Sequence, residues 1–175
     1  MKDSGERGFV QAYNAQIAVD SQAQIIVAAE LTQQPIDRQQ LLPMVKSLRS
    51  TAQGVPTTIT ADAGYWDTTS LLDPAVSGIE MLVAPDSKPH LPGSPLPPNA
   101  PRSEEAFRMR EALATAEGKA RYALRQTIVE PVFGQIKHAR GFRQFLMRGI
   151  DKVRGEWALV CLTHNILKIY RLCYA

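Results

Sequence analysis

Seven prolines fall within residues 85–101 (PDSKPHLPGSPLPPNAP). Proline lacks a backbone N–H and fixes φ, so neither a helix interior nor a central strand runs through such a stretch. It reads as an extended surface linker. The chain therefore organises as residues 1–84, the linker 85–101, and residues 102–175. At 175 residues the two flanks together suit one domain with a sizeable core rather than two. A hydrophobic fraction of 45% agrees with a globular chain.

The first part reads as α/β. Residues 9–20 (FVQAYNAQIAVD) partly alternate, and 25–31 (IIVAAEL) form a β-rich apolar run. Ser21–Gln24 makes the turn between them, so the pair predicts a hairpin. Asp37 then caps a helix with Leu41, Leu42, Val45 and Leu48 on its buried face. Thr57–Thr60 and Ile79–Ala84 are short buried strands with a helix from Thr68 to about Leu72 between them. That order predicts parallel strands joined by a crossover.

After the linker the composition shifts to helix formers. Ser103 with Glu104 and Glu105 starts a capped helix. Helix runs on to Glu130, with Gly118 as a break, and Pro131 opens a further helix. Gly141 and Gly149 bracket a basic loop. Asp151 caps a long last helix, whose apolar side is Val153, Trp157, Val160, Cys161, His164, Leu167 and Ile169.

Charge is divided unevenly. Residues 1–101 carry six Lys/Arg against ten Asp/Glu, and residues 102–175 carry fourteen against seven. A basic half points to a polyanionic partner or to a solvated helical face. Several classes are disfavoured. No apolar run reaches about 18 residues, so no span crosses a membrane, and MKDSGERGF has no apolar secretion core. Cys161 and Cys173, about 18 Å apart on a helix, are too far apart for a disulfide and fit a reduced, cytoplasmic chain. Cys161, His164 and Cys173 give at most three zinc ligands. Neither a nucleophile elbow nor a phosphate-cradling Gly-rich loop occurs.

Two carboxylates stand out. Asp62 follows a short apolar strand and precedes Gly64, a place where α/β sheets gather ligands; it also reads as a turn aspartate. Glu130 sits among Arg121, Arg125, Lys137, Arg140 and Arg143. It is either a cation ligand or a member of an Arg–Glu lattice. Two helical turns separate Glu130 from Lys137, so a continuous helix puts both on one face.

The strings Ala61-Asp62-Ala63-Gly64-Tyr65 and Tyr122…Arg125…Glu130-Pro131-Val132-Phe133-Gly134-Gln135-Ile136-Lys137 resemble the second-Asp and Glu motifs of DDE insertion-sequence transposases. So do the segment from Gly8 to Gln16, Arg148-Gly149, Glu156-Trp157 and His164-Asn165. Four residues separate Arg125 from Glu130, one more than the family's usual spacing.

The resemblance implies a ribonuclease H-like mixed sheet flanked by helices, with residues 1–84 and the helical part 102–175 building one domain. It implies two aspartates and a glutamate holding two Mg²⁺ or Mn²⁺ ions about 3.5–4 Å apart for in-line phosphoryl transfer. Asp62 and Glu130 would be two of those ligands. Tyr122, Arg125, Lys137, Arg140, Arg143 and Arg148 would contact DNA phosphates. It also implies a homodimer working on paired transposon ends, in a nucleoid-associated setting.

The first strand of that fold, which carries the first Asp, is missing from the count. Asp20, at the end of the first visible strand, is then either that acid or a hairpin residue, and the strand count favours the hairpin. Asp3 lies nearer the expected place, without strand-like flanks. The expectation is a truncated, inactive transposase. The alternatives are a metal-dependent nuclease or resolvase on the same fold, and a non-catalytic DNA-binding remnant.

Overall fold

A computed structural model describes residues 12–51, 54–86, 96 and 98–174. Asp3, the Gly8–Gln11 part of the motif and most of the proline-rich stretch lie outside the described residues. By internal contacts the chain forms two compact units. One comprises Met1–Ile36 with Ile128–Ala175, and the other Asp37–Thr127.

The first unit is a hairpin under a helix. β1 (Asn14–Val19) pairs antiparallel with β2 (Ile26–Thr32), Ile17 opposite Ala29, with a bulge between Ala18 and Val19. Asp20 builds the turn: its Oδ2 accepts from the backbone N–H groups of Gln22 at 3.1 Å and Ala23 at 2.7 Å. Gln24 adopts the left-handed region, φ 56°.

The last helix, α5 (Ile150–Tyr174), supplies the cover, with Val153, Trp157, Cys161 and His164 buried at one helical face. Val153, Trp157 and Cys161 pack with Ile26, Leu31, Val132 and Ile136 into one core. Phe133 stacks on Trp157 at 6.3 Å, and Phe145 meets the Trp157 ring edge-on.

Polar clamps fix the register of α5 on the hairpin. Asn165 uses its whole amide: Oδ1 accepts from Ile26 N–H at 2.8 Å, and Nδ2 donates to Ile26 C=O at 2.7 Å. The side chain thus stands where a neighbouring strand's peptide would. His164 Nε2 lies 3.1 Å from the Gln24 carbonyl. A carbonyl only accepts, so Nε2 carries the proton, and burial lowers the imidazole's pKa below its ordinary value. Trp157 Nε1 donates to Gln16 C=O, and Gly149 N–H to the Tyr13 hydroxyl. Glu156 accepts from Leu146 and Met147 N–H, tethering the basic loop. Two expectations for α5 change. It starts at Ile150, so Asp151 lies in its first turn rather than capping it. Leu167 and Ile169 are exposed.

In the second unit, α1 (Leu41–Thr51) buries Leu41, Met44, Val45 and Leu48. It begins four residues after Asp37, whose carbonyl instead accepts from Gln40 N–H in the preceding turn. β3 (Thr58–Ala61) and β4 (Glu80–Val83) run parallel, Ile59 opposite Met81, as the crossover order predicts. The crossover is built from short pieces. A 3₁₀ turn at Ala63–Tyr65 leads to α2 (Thr68–Leu71), capped by Asp67, and then to a 3₁₀ turn at Pro74–Val76. Arg49 closes the last of these, donating to Ala75 C=O at 2.6 Å and Ser77 C=O at 2.7 Å. The core gathers Leu41, Val45, Trp66, Val76, Ile79, Val83 and Ala106.

α3 (Glu104–Ala114) carries the expected Ser103 cap, with Oγ accepting from Ala106 N–H. Its Arg110 grips Asp86 through two bonds, 2.7 and 2.9 Å, and donates to Pro101 C=O at 2.8 Å. One guanidinium thus ties the two ends of the proline-rich stretch together. α4 (Ala116–Gly134) follows directly, and the division between units falls inside it.

The helix break is at Thr115, whose Oγ1 accepts from Gly118 N–H at 2.9 Å. Gly118 has a different part. A Cβ there would lie 2.0 Å from the Ala112 carbonyl oxygen. Only glycine lets α4 start so close under the end of α3. Gly118→Ala should therefore cost about 3 kcal/mol, from forced displacement of backbone. Urea denaturation reads this directly, and an unchanged midpoint would show that the corner relaxes freely.

Pro131 does not open a new helix. It lies inside α4, which ends in a π turn at Gln135–Ala139, with Arg140 N–H donating to Gln135 C=O. Proline removes one backbone donor from the helix, and the wider turn follows within a few residues.

Candidate active site

Asp62 directly follows β3, at the carboxyl end of a parallel strand. It caps the 3₁₀ turn, with Oδ1 accepting from Ala63 N–H at 2.7 Å. Its side chain stays 64% exposed, enough for solvent or a ligand to reach it. Arg125 NH1 stands 3.6 Å from that same Oδ1, an ion pair too long for a good hydrogen bond. The Arg125 guanidinium lies over the Tyr122 ring, 4.6 Å from its centre, a cation–π placement that holds it flat. Arg125 Nε is buried with no hydrogen-bond partner among the described residues. Tyr122 is held protonated by burial, with Arg125 opposing and Asp62 adding to the rise.

Tyr65 completes the group. Burial raises its phenol well above the usual range, and the carboxylates of Asp37 and Asp62 raise it further. Asp37 also faces Gly64, where a Cβ would lie 3.4 Å from Asp37 Oδ2. Asp37, Asp62, Tyr65, Tyr122 and Arg125 thus form one electrostatic neighbourhood within the second unit. Sequence reasoning missed Asp37 here, taking it as a helix cap. The only signal was an acid shortly before the first buried helix, which does not separate the two roles.

The remaining candidates belong to the first unit. Glu130 is exposed on α4. Lys137 lies in the π turn, with its ammonium 5.4 Å from the centre of the Phe133 ring. The π turn removes the two-α-turn relation on which a shared Glu130–Lys137 face was expected. Arg140 donates to Val160 C=O at 3.2 Å and to Thr163 Oγ1, so it braces the loop against α5. Arg143 and Arg148 are exposed on that loop. Asp20 spends one carboxylate oxygen on its turn.

Residues 98–170 match the family described as the transposase DDE domain. That stretch is similar to the DDE transposase family. No curated protein and no solved structure matches the chain. The transposase stretch contains Tyr122, Arg125, Glu130, Lys137, Arg140, Arg143 and Arg148. Asp62 and Asp20 lie before it.

Divalent metals are the cofactor class expected of a DDE transposase, and exposed hard-oxygen donors such as Asp62 and Glu130 suit Mg²⁺. Among the described residues, however, no group of three or more His, Cys, Asp or Glu converges as a metal cluster. The described residues therefore offer separate carboxylate donors and not a closed ligand set. No described helix is long and apolar enough to cross a membrane.

Proposed function

We propose that this chain is part of an enzyme of DNA transposition, cutting transposon ends and joining them to target DNA in the cytoplasm, at the nucleoid. The match to the transposase DDE domain over residues 98–170 carries this reading, because it encloses Glu130 and most of the basic half. Asp62 and Glu130 are the acids of the site. Divalent Mg²⁺ or Mn²⁺, when bound, would stabilise the charge of an in-line phosphoryl transfer.

The chain's own contribution is positioning. Arg125, kept flat on Tyr122, presents a fork suited to a phosphate. Lys137, Arg140, Arg143 and Arg148 hold the DNA backbone without reading its sequence. The ribonuclease H-like arrangement is supported by one antiparallel and one parallel strand pair, the latter joined by a helical crossover. Among the described residues each sheet has two strands, fewer than that fold needs. We read the chain as a partial catalytic domain and Asp20 as its hairpin residue, because its carboxylate already serves the turn.

The absence of a three-donor cluster among the described residues favours a second reading: DNA binding without chemistry. A strand-transfer assay separates the two. Labelled transposon-end DNA and a target plasmid are incubated with the chain in Mg²⁺ or Mn²⁺, alone and with a separately expressed segment bearing the first strand and its Asp. The expected result is no product from the chain alone and joined product from the complemented pair, abolished by Glu130→Gln. Cutting without joining would indicate a nuclease. Binding without any cleavage, unchanged by Asp62→Ala, would leave only the DNA-binding reading.

A further inference from the structure

The loop between the π turn and α5, residues 140–149, has no regular secondary structure, yet its backbone is fixed at several points. Phe142 N–H donates to Ile136 C=O at 3.1 Å, and Gly149 N–H to the Tyr13 hydroxyl at 3.0 Å. The Phe145 ring meets Tyr13, Phe142 and Trp157 edge-on. The next two N–H groups are taken by one carboxylate: Glu156 Oε1 accepts from Leu146 at 2.8 Å, and Oε2 from Met147 at 3.1 Å. Gly141 and Gly149 turn the chain at either end, with φ 70° and 88°.

A lone exposed leucine is ordinary. Here a tethered backbone keeps two adjacent large apolar side chains in water, Leu146 80% exposed and Met147 52%. Phe142 and Phe145 of the same loop pack against the core instead. The tip is thus held in place by its neighbours while its own side chains add nothing to the core.

Charge and size decide what it meets. Residues 140–149 include Arg140, Arg143 and Arg148 and no acid. Arg143 and Arg148 are exposed on either side of the apolar pair, a setting for a polyanion. Two side chains cover far less than the roughly 800 Å² per partner of a stable protein interface. A non-helical loop also lacks the amphipathic face by which a surface segment lies in a membrane. A base step of duplex DNA, by contrast, takes a small apolar wedge and offers phosphates on both sides of it.

We infer that Leu146 and Met147 form a wedge that enters the base stack of bound DNA and kinks it, while Arg143 and Arg148 hold the flanking phosphates. The wedge rests on the DNA partner of the proposed function and adds how the duplex is held: bent, with a step unstacked.

Fluorescence anisotropy at about 50 mM salt compares a labelled duplex with the same duplex carrying a central mismatch. The full chain should bind the mismatched duplex at least about 10-fold more tightly, because its stack is already partly open. Leu146→Ala with Met147→Ala should abolish that preference, while binding to the intact duplex persists through the arginines. Leu146→Met with Met147→Leu keeps the apolar bulk and should keep the preference. A fluorescent adenine analogue beside the mismatch should brighten with the unaltered chain and the exchanged pair, and not with the alanine pair. Both positions are exposed, so the fold survives, which helical circular dichroism and Trp157 emission verify. Should the alanine pair not fold, Leu146→Gln, which keeps the side chain long but makes it polar, takes its place. Equal affinity for the two duplexes, or a preference that outlasts the apolar side chains, overturns the wedge and leaves the proposed function standing. Binding to neither duplex, with or without capture of anionic lipid vesicles, overturns both.

Discussion

Trp157→Ala should cost about 3–5 kcal/mol and unfold the unit formed by the two chain ends. The side chain is 3% exposed. It sits between Phe133 and Phe145, and its indole N–H donates to the Gln16 carbonyl. Alanine leaves a cavity at the centre of the core and strips a partner from a strand carbonyl. Two probes check the result. Near-ultraviolet circular dichroism should collapse, and amide exchange in β1 and β2 should become fast while that of α1 stays slow. Retention of protected hairpin amides would show that the clamps at Asn165 and His164 suffice without the indole.

Much of this architecture was legible because short-range chemistry wrote it. The β-branched and apolar runs gave the hairpin and the parallel strands, and Ser103 caps α3 as its side chain suggests. Other features were hidden for identifiable reasons. Gly118 looked like a helix break, but the break is a threonine cap three residues earlier, and the glycine answers to a contact with Ala112. Leu167 and Ile169 were assigned to the buried face because α5 has apolar residues on two sides, and a single 3.6-residue period does not separate them.

The site followed the same division. Asp62 at a strand end was readable from its neighbours. The approach of Arg125 to Asp62 was not, since those residues are far apart in sequence and meet only through the fold. The π turn at Gln135–Ala139 takes Lys137 out of the regular α-helical spacing from Glu130, and no residue pattern announced it. The motif residues Glu156, Trp157, His164 and Asn165 proved to be clamps of the hairpin and loop.

Binding to duplex DNA should fall about 100-fold between 50 and 200 mM salt. This follows if four cations, Lys137, Arg140, Arg143 and Arg148, each neutralise a phosphate, since the logarithmic slope is about −0.9 per contact. Arg143→Ala with Arg148→Ala should reduce the slope by about 2 and weaken binding equally on unrelated sequences. Both side chains are exposed on the loop, so the fold should survive their loss. Arg140→Ala should behave differently. It removes bonds to Val160 and Thr163, so loosening of the loop should accompany the lost affinity. Fluorescence anisotropy across a salt series measures each slope. A flat series for the unaltered chain would remove the basic loop from the interface.

The hairpin is held to α5 by residues about 140 positions apart in sequence, as Asn165 to Ile26 and Trp157 to Gln16. On a ribosome this sets an order of events. The stretch Asp37–Thr127 is continuous, with its own core, and can close while synthesis proceeds. The hairpin emerges first yet waits longest, its apolar face open until the final helix has left the exit tunnel. Contacts so distant form slowly, and an early strand pair without its cover is prone to mispairing. A premature stop between Thr127 and Asn165 would therefore release a chain whose middle is folded and whose beginning is still bare.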